Sequence, residues 1–88
     1  MSIRTVVVTG GNRGIGAATA RHFAAEGWRV AILYGADKAA AEATLGSLAG
    51  AGHLIVQADV ADSAAVAAAA TKIGAAFDGL DALVNNAG

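Results

Sequence analysis

Thr9-Gly10-Gly11-Asn12-Arg13-Gly14-Ile15-Gly16 is the stretch on which the fold turns. Before it stands Ile3 to Thr9, β-branched and apolar, the composition of a strand buried on both faces. After it, Ile15 to Glu26 reads as a helix, with Ile15, Thr19 and Phe23 spaced by four on one face. A glycine-rich string between a strand and a helix has a physical use. The first turn of a helix has unpaired N–H groups and a partial positive charge, and a pyrophosphate set there satisfies both. A Cβ would block the approach of phosphate or forbid the tight turn. Gly16 is expected to let the helix lie close to the first strand. The spacing is Thr-Gly-x-x-x-Gly-x-Gly, and no Gly-Lys-Ser/Thr follows, which excludes a Walker-type loop. A plain strand-to-helix turn is the other reading of the same glycines.

Outward from the loop, two periodicities alternate. Gly27 stands where a left-handed helix-ending residue is wanted, and Arg29 to Tyr34 is a second strand. Asp37 to Leu48 is a second helix with Asp37 as its cap, and Leu54 to Ala58 a third strand. Asp62 or Ser63 can cap a third helix whose buried stripe is Val66, Ala70, Ile73 and Phe77, and Leu80 to Asn85 is a fourth strand. The order β-α-β-α-β-α-β implies an α/β fold: a Rossmann-type parallel sheet with right-handed crossovers, one half of a doubly wound architecture in a single domain over residues 1–88.

Composition narrows the function. The chain has 88 residues, 15% charged, with a formal net charge of -1, so it has no electrostatic reason to seek nucleic acid or an anionic membrane. Without cysteine there is no disulfide framework, thiolate metal site or thiol nucleophile. His22 and His53 stand apart and read as surface or packing residues, and no metal site is expected. Trp28 follows a turn glycine and is expected to pack at the helix–strand junction. Asp78 and Asp81 bracket Gly79 as turn residues. Val6-Val7-Val8 is too short for a secretory h-region, and the apolar stretch Ser63 to Phe77 is alanine-rich and broken by Lys72; a cytoplasmic protein is the expectation.

Three landmarks in order, Thr9 to Gly16, Asp59-Val60 and Asn85-Asn86-Ala87-Gly88, make the chain resemble the short-chain dehydrogenase/reductase family over almost its whole length. Its flavour resembles the branch that reduces 3-oxoacyl thioesters and similar small ketones. The resemblance implies a dinucleotide held by Gly10, Asn12, Arg13, Gly14, Ile15 and Gly16. It implies that Asp59 accepts from the adenine amino group with the Val60 backbone beside it; a turn aspartate is the alternative. It implies that Asn86, Ala87 and Gly88 line the ribose and nicotinamide, while Asn85 serves the sheet. An acid just past the second strand would bind a ribose 2′-OH and repel a 2′-phosphate. Tyr34 stands where NAD-preferring members carry that acid, and Arg13 could pair with a 2′-phosphate, unless it is a solvated surface charge. Both favour NADP, with NAD the other option. Gly35 stands against it, because many NADP users carry a basic residue there; Lys38 is near enough to substitute.

In the family a serine and a Tyr-x-x-x-Lys pair carry the chemistry, downstream of the Asn-Asn-Ala-Gly segment. Tyr34-x-x-x-Lys38 has the spacing but falls on the adenosine side, so no catalytic residue is assigned. The implied function is the NADP-binding portion of an oxidoreductase moving hydride between nicotinamide and a small carbonyl or alcohol, in a family that commonly forms homo-oligomers. A non-catalytic nucleotide-binding or redox-sensing module is the alternative. An unpaired fourth strand favours association. The 88 residues are therefore expected to be a truncated and inactive product, or to fold only against another copy or a missing C-terminal portion.

Overall fold

A computed structural model describes residues 3–10, 14–59 and 61–86. The elements run β1 (Thr5–Thr9), α1 (Gly14–Ala25), β2 (Arg29–Tyr34), α2 (Lys38–Ser47), β3 (Leu54–Gln57), α3 (Ser63–Phe77) and β4 (Ala82–Asn85). The strands form one sheet in the order β3-β2-β1-β4, every neighbouring pair parallel. Each crossover therefore needs a helix, and the helices cover both faces. On one face Val6, Val8, Val30 and Ile32 meet Ala20 and Ala24 of α1 and Leu48 at the end of α2. On the other, Val7, Ala31 and Leu33 meet Ala69, Ile73 and Phe77 of α3. Strand periodicity of two sends alternate residues of each strand to opposite cores. Each fully buried Val, Ile or Leu is worth about 1.5–3 kcal/mol, so Ile32, Leu33 and Ile73 outweigh the many alanines.

The helix ends form as their residues dictate. Asp37 accepts from the Ala40 N–H at 3.0 Å at the start of α2. At the start of α3 the cap is Asp62, which accepts from Ala64 and Ala65. Asp62→Ala is expected to lower stability by about 1 kcal/mol, read as a shift in urea midpoint at unchanged slope. Gly27 has φ +90 and closes α1, with Trp28 N–H donating back to Phe23 O at 3.0 Å. At the end of α3 it is Asp78 that takes the left-handed conformation, φ 58.

Three expectations need correction. β1 begins at Thr5, leaving Ile3 outside the strand and 53% exposed, and β4 begins at Ala82 with Leu80 exposed in the preceding turn. The stripe of α1 turned to the sheet is Gly16, Ala17, Ala20 and Ala24; Ile15 is 78% exposed, and Phe23 is half-buried at the margin. The reason is distance: a helix seated this near a strand has room beneath it only for residues with little or no side chain. In α3 the buried position is Ala69, and Ala70 is exposed, because the stripe runs through 69, 73 and 77 at four-residue spacing.

The β1–β4 pair is pinned at both ends. At the amino end the Thr5 N–H donates to Asp81 Oδ2 at 2.9 Å, and the Thr5 hydroxyl donates to Gly79 O at 3.0 Å. At the carboxyl end the Thr9 hydroxyl donates to Asn85 Oδ1 at 3.1 Å and accepts from the Asn86 N–H at 2.8 Å. Among the described residues β4 pairs with β1 alone, and its Leu83 is 61% exposed.

Candidate functional site

Strand order sets the position of the site. From β1 the chain steps outward to β2 and β3, then crosses to the other side of β1 for β4. The connection leaving β1 runs to β2 on one side, whereas the chain returns to β4 on the other, so the strand order diverges about the β1–β4 pair. In an open parallel sheet that divergence leaves a crevice where ligands bind. Thr9 and Gly10 stand at the end of β1, Asn85 and Asn86 at the end of β4, and Tyr34 and Asp59 at or just past the ends of β2 and β3. Among the described residues, every predicted site residue lies at this one edge. Gly11, Asn12, Arg13, Val60, Ala87 and Gly88, which the sequence also put forward or which lie among those residues, fall outside the described residues.

Gly10 (φ +66) and Gly14 (φ +61) both adopt left-handed backbone, so glycine is required at the two ends of the turn. Gly10 N–H donates to Leu33 O at 2.8 Å, which extends the β1–β2 ladder into the turn. Gly16 is enclosed: a Cβ there would overlap the Gly10 carbonyl oxygen and lie 2.7 Å from Asn86 Nδ2. Three segments therefore converge on one glycine: the end of β1, the first turn of α1 and the residue after β4. At α2 and α3 the residue before the helix, Asp37 or Asp62, accepts from the first amides; the residue before α1 in the sequence, Arg13, has no carboxylate to do so. Such an end suits an external anion. The exposed Ile15 side chain stands at the same turn.

Asp59 makes a turn of its own. Its Oδ1 accepts from Ala61 N–H at 2.9 Å, and its carbonyl accepts from Asp62 N–H at 2.9 Å. This is the turn alternative raised by the sequence, but Ala61 takes one of the several acceptor positions a carboxylate has. Tyr34 is buried at the end of β2, in register with Gln57, whose side chain donates to Gly35 O at 2.9 Å. Lys38 lies on the surface 3.8 Å from Glu42, a pair worth a few tenths of a kcal/mol. The burial of Tyr34 and the surface position of Lys38 give the Tyr34-x-x-x-Lys38 spacing no catalytic geometry. Asn85 serves the sheet through Thr9. Sequence reasoning did not assign the Thr9 hydroxyl; its signal was a threonine, rather than a fourth valine, closing β1 just before glycine.

A hollow of about 570 Å³ lies elsewhere, at the amino end of the sheet, lined by residues that include Arg4, Phe23 and Trp28. Trp28 packs there edge-on to Phe23, ring centroids 4.9 Å apart, at the junction of α1 and β2. No helix among the described residues is long and apolar enough to cross a membrane.

Comparison with known proteins bears on this geometry. The family model described as short chain dehydrogenase matches residues 4–88. A 3beta-hydroxysteroid dehydrogenase 1 from Eggerthella lenta is 44% identical over 87 residues, which is 97% of this chain and 33% of that protein. A 3-oxoacyl-acyl-carrier-protein reductase, FabG, from Staphylococcus aureus is 40% identical over 97% of this chain and 35% of its own length. Among solved structures, a short chain dehydrogenase from Burkholderia cenocepacia in complex with NADP superposes with a TM-score of 0.85 at 46% identity, covering 97% of this chain and 36% of that one. The chain spans about a third of the length of the relatives it matches.

Proposed function

This chain belongs to the short-chain dehydrogenase family, and we propose that it forms the NADP-binding portion of an oxidoreductase acting on a small carbonyl or alcohol. The observation that carries this reading is the enclosed Gly16, which brings the start of α1 against Gly10 and Asn86 at the divergence between β1 and β4. The first turn of α1, set this close to the end of β1, offers amide donors to a diphosphate. When bound, the dinucleotide supplies the hydride. The chain's own residues bind and orient. Gly10, Asn12, Arg13, Gly14, Ile15 and Gly16 hold the diphosphate, with Arg13 facing the 2′-phosphate. Asp59 accepts from the adenine amino group beside Val60, Tyr34 leaves the 2′-position free of a competing carboxylate, and Asn86, Ala87 and Gly88 border the ribose and nicotinamide. The NADP complex of the Burkholderia cenocepacia relative supports the choice of cofactor. Residues 1–88 serve as a dinucleotide-binding half-domain, and the proton-transfer groups and the substrate pocket belong to sequence outside them. The relatives' names span a steroid and an acyl thioester substrate, so the substrate class is kept at small carbonyl compounds.

Titration with NADPH, read by nicotinamide fluorescence and by thermal stability, tests this. Saturable enhancement with a raised melting temperature is expected, and no change in either overturns the reading. In the same assay Tyr34→Asp places a carboxylate beside the 2′-phosphate. It is expected to weaken NADPH roughly 10- to 100-fold, about 1.4–2.8 kcal/mol, and NADH far less. Equal loss for both cofactors would remove Tyr34 from the 2′-side.

A further inference from the structure

The turn that leaves β2 is held by a side chain of the neighbouring strand. Tyr34 ends β2, and its carbonyl accepts from the Ala58 N–H at 2.9 Å. One residue further on, the Gly35 carbonyl accepts at 2.9 Å from Nε2 of Gln57, the last residue of β3. Gly35 is exposed, and a Cβ built there meets nothing within 4 Å, so the space over the turn is open. Asp37, the charged group nearest in sequence, accepts with its carboxylate from the Ala40 N–H of α2.

A trans peptide unit is planar, and its C=O and N–H point to opposite sides. Gln57 draws the Gly35 carbonyl toward β3. The Ala36 N–H of the same unit is thereby turned away from β3, to the side of β2 on which β1 and its glycine loop stand. Gly35 has no side chain with which to meet a phosphate, so the turn offers an anion its backbone donor. In a dinucleotide site of this kind the ribose 2′-position lies past the second strand. We propose that Gln57 is a positioning residue for cofactor choice: it holds the Gly35 carbonyl aside and presents the Ala36 N–H to the 2′-phosphate. This rests on the NADP-binding role proposed for the chain. Without the Gln57 bond the Gly35 carbonyl is free to turn toward the phosphate, and two acceptors repel. NADH is less sensitive, because its 2′-hydroxyl can donate to a carbonyl as readily as it accepts from an amide.

Gln57→Met keeps the length of the side chain and removes its donor. The full chain and this variant are titrated with NADPH and with NADH, read by nicotinamide fluorescence, and the Ala36 amide of the unaltered chain is followed by NMR. The variant is expected to lose roughly three- to tenfold in NADPH affinity and less than about twofold in NADH affinity. The Ala36 amide is expected to shift further with NADPH than with NADH. A purely structural role for Gln57 would lower both affinities alike; an unchanged ratio of the two therefore overturns the proposal, as does an Ala36 amide that moves equally with either cofactor. NADPH binding by the unaltered chain separates the two claims. If it is absent, the NADP-binding role fails and the role of Gln57 with it; if it is present and the ratio is unchanged in Gln57→Met, the role of Gln57 alone fails. Should Gln57→Met not fold, the Ala36 comparison on the unaltered chain decides.

Discussion

Gly16→Val is expected to abolish NADPH binding and to weaken the fold by about 3 kcal/mol. The added Cβ would overlap the Gly10 carbonyl oxygen and lie 2.8 Å from the Gly10 carbonyl carbon. Neither is a flexible side-chain end that could swing aside. The Gly10 N–H is held on Leu33 O, so Gly10 cannot move away as a whole without breaking the β1–β2 ladder. The remaining way to make room is to lift α1 from the sheet. That opens the contact of Ala20 and Ala24 with Val6 and Val8 and moves the first-turn amides away from the crevice. Gly46→Ala is the control. A Cβ at Gly46, in the last turn of α2, meets nothing within 4 Å, and that change is expected to stabilise by about 0.5 kcal/mol. Urea denaturation and NADPH titration of both variants check the pair. A Gly16→Val chain of unaltered stability and affinity would show that α1 does not approach β1 as described.

Thr9→Val is expected to cost about 2 kcal/mol and to weaken NADPH roughly tenfold. Valine fills the same volume, so the change isolates the hydroxyl. That hydroxyl holds Asn85 Oδ1 as donor and the Asn86 N–H as acceptor, and so fixes the end of β4 at the crevice. Thr5→Val provides the comparison. The Thr5 hydroxyl ties the other end of the same strand pair, to Gly79 O, and its loss is expected to destabilise by a similar amount while leaving NADPH affinity within about twofold. If the two variants lose affinity equally, the carboxyl-end lock has no special bearing on the cofactor.

The alternation of strand and helix was legible because the strands are short β-branched runs and the helices end in recognisable residues: Asp37, Asp62 and Gly27 each take the cap or turn their chemistry favours. The convergence of Gly10, Gly14 and Gly16 on one turn followed from their place between β1 and α1. The face of α1 was not legible. Counting large apolar residues pointed to Ile15 and Phe23, whereas the close approach selects for the smallest residues beneath the helix. The run of four alanines from Ala67 to Ala70 in α3 likewise left its phase undetermined between Ala69 and Ala70. The threonine pins of β1 and β4 were hidden for another reason. They join residues more than 70 apart in sequence, and the break from valine to threonine before Gly10 marks Thr9 without naming its partner. The burial of Arg29 Nε depends on how the loop at Gly52 is laid against it, which no spacing encodes.

Backbone amide shifts of the isotope-labelled chain, followed through a titration with NADPH, address the diphosphate site most directly. Saturable shifts are expected at Gly10, Gly14, Ile15 and Gly16, with smaller ones at Asp59 and Asn86, while the amides of Gly27, Trp28 and Arg29 at the far end of the sheet stay in place. NADPH that binds without moving the amides at the start of α1, or that moves those of the far end instead, would contradict the assignment.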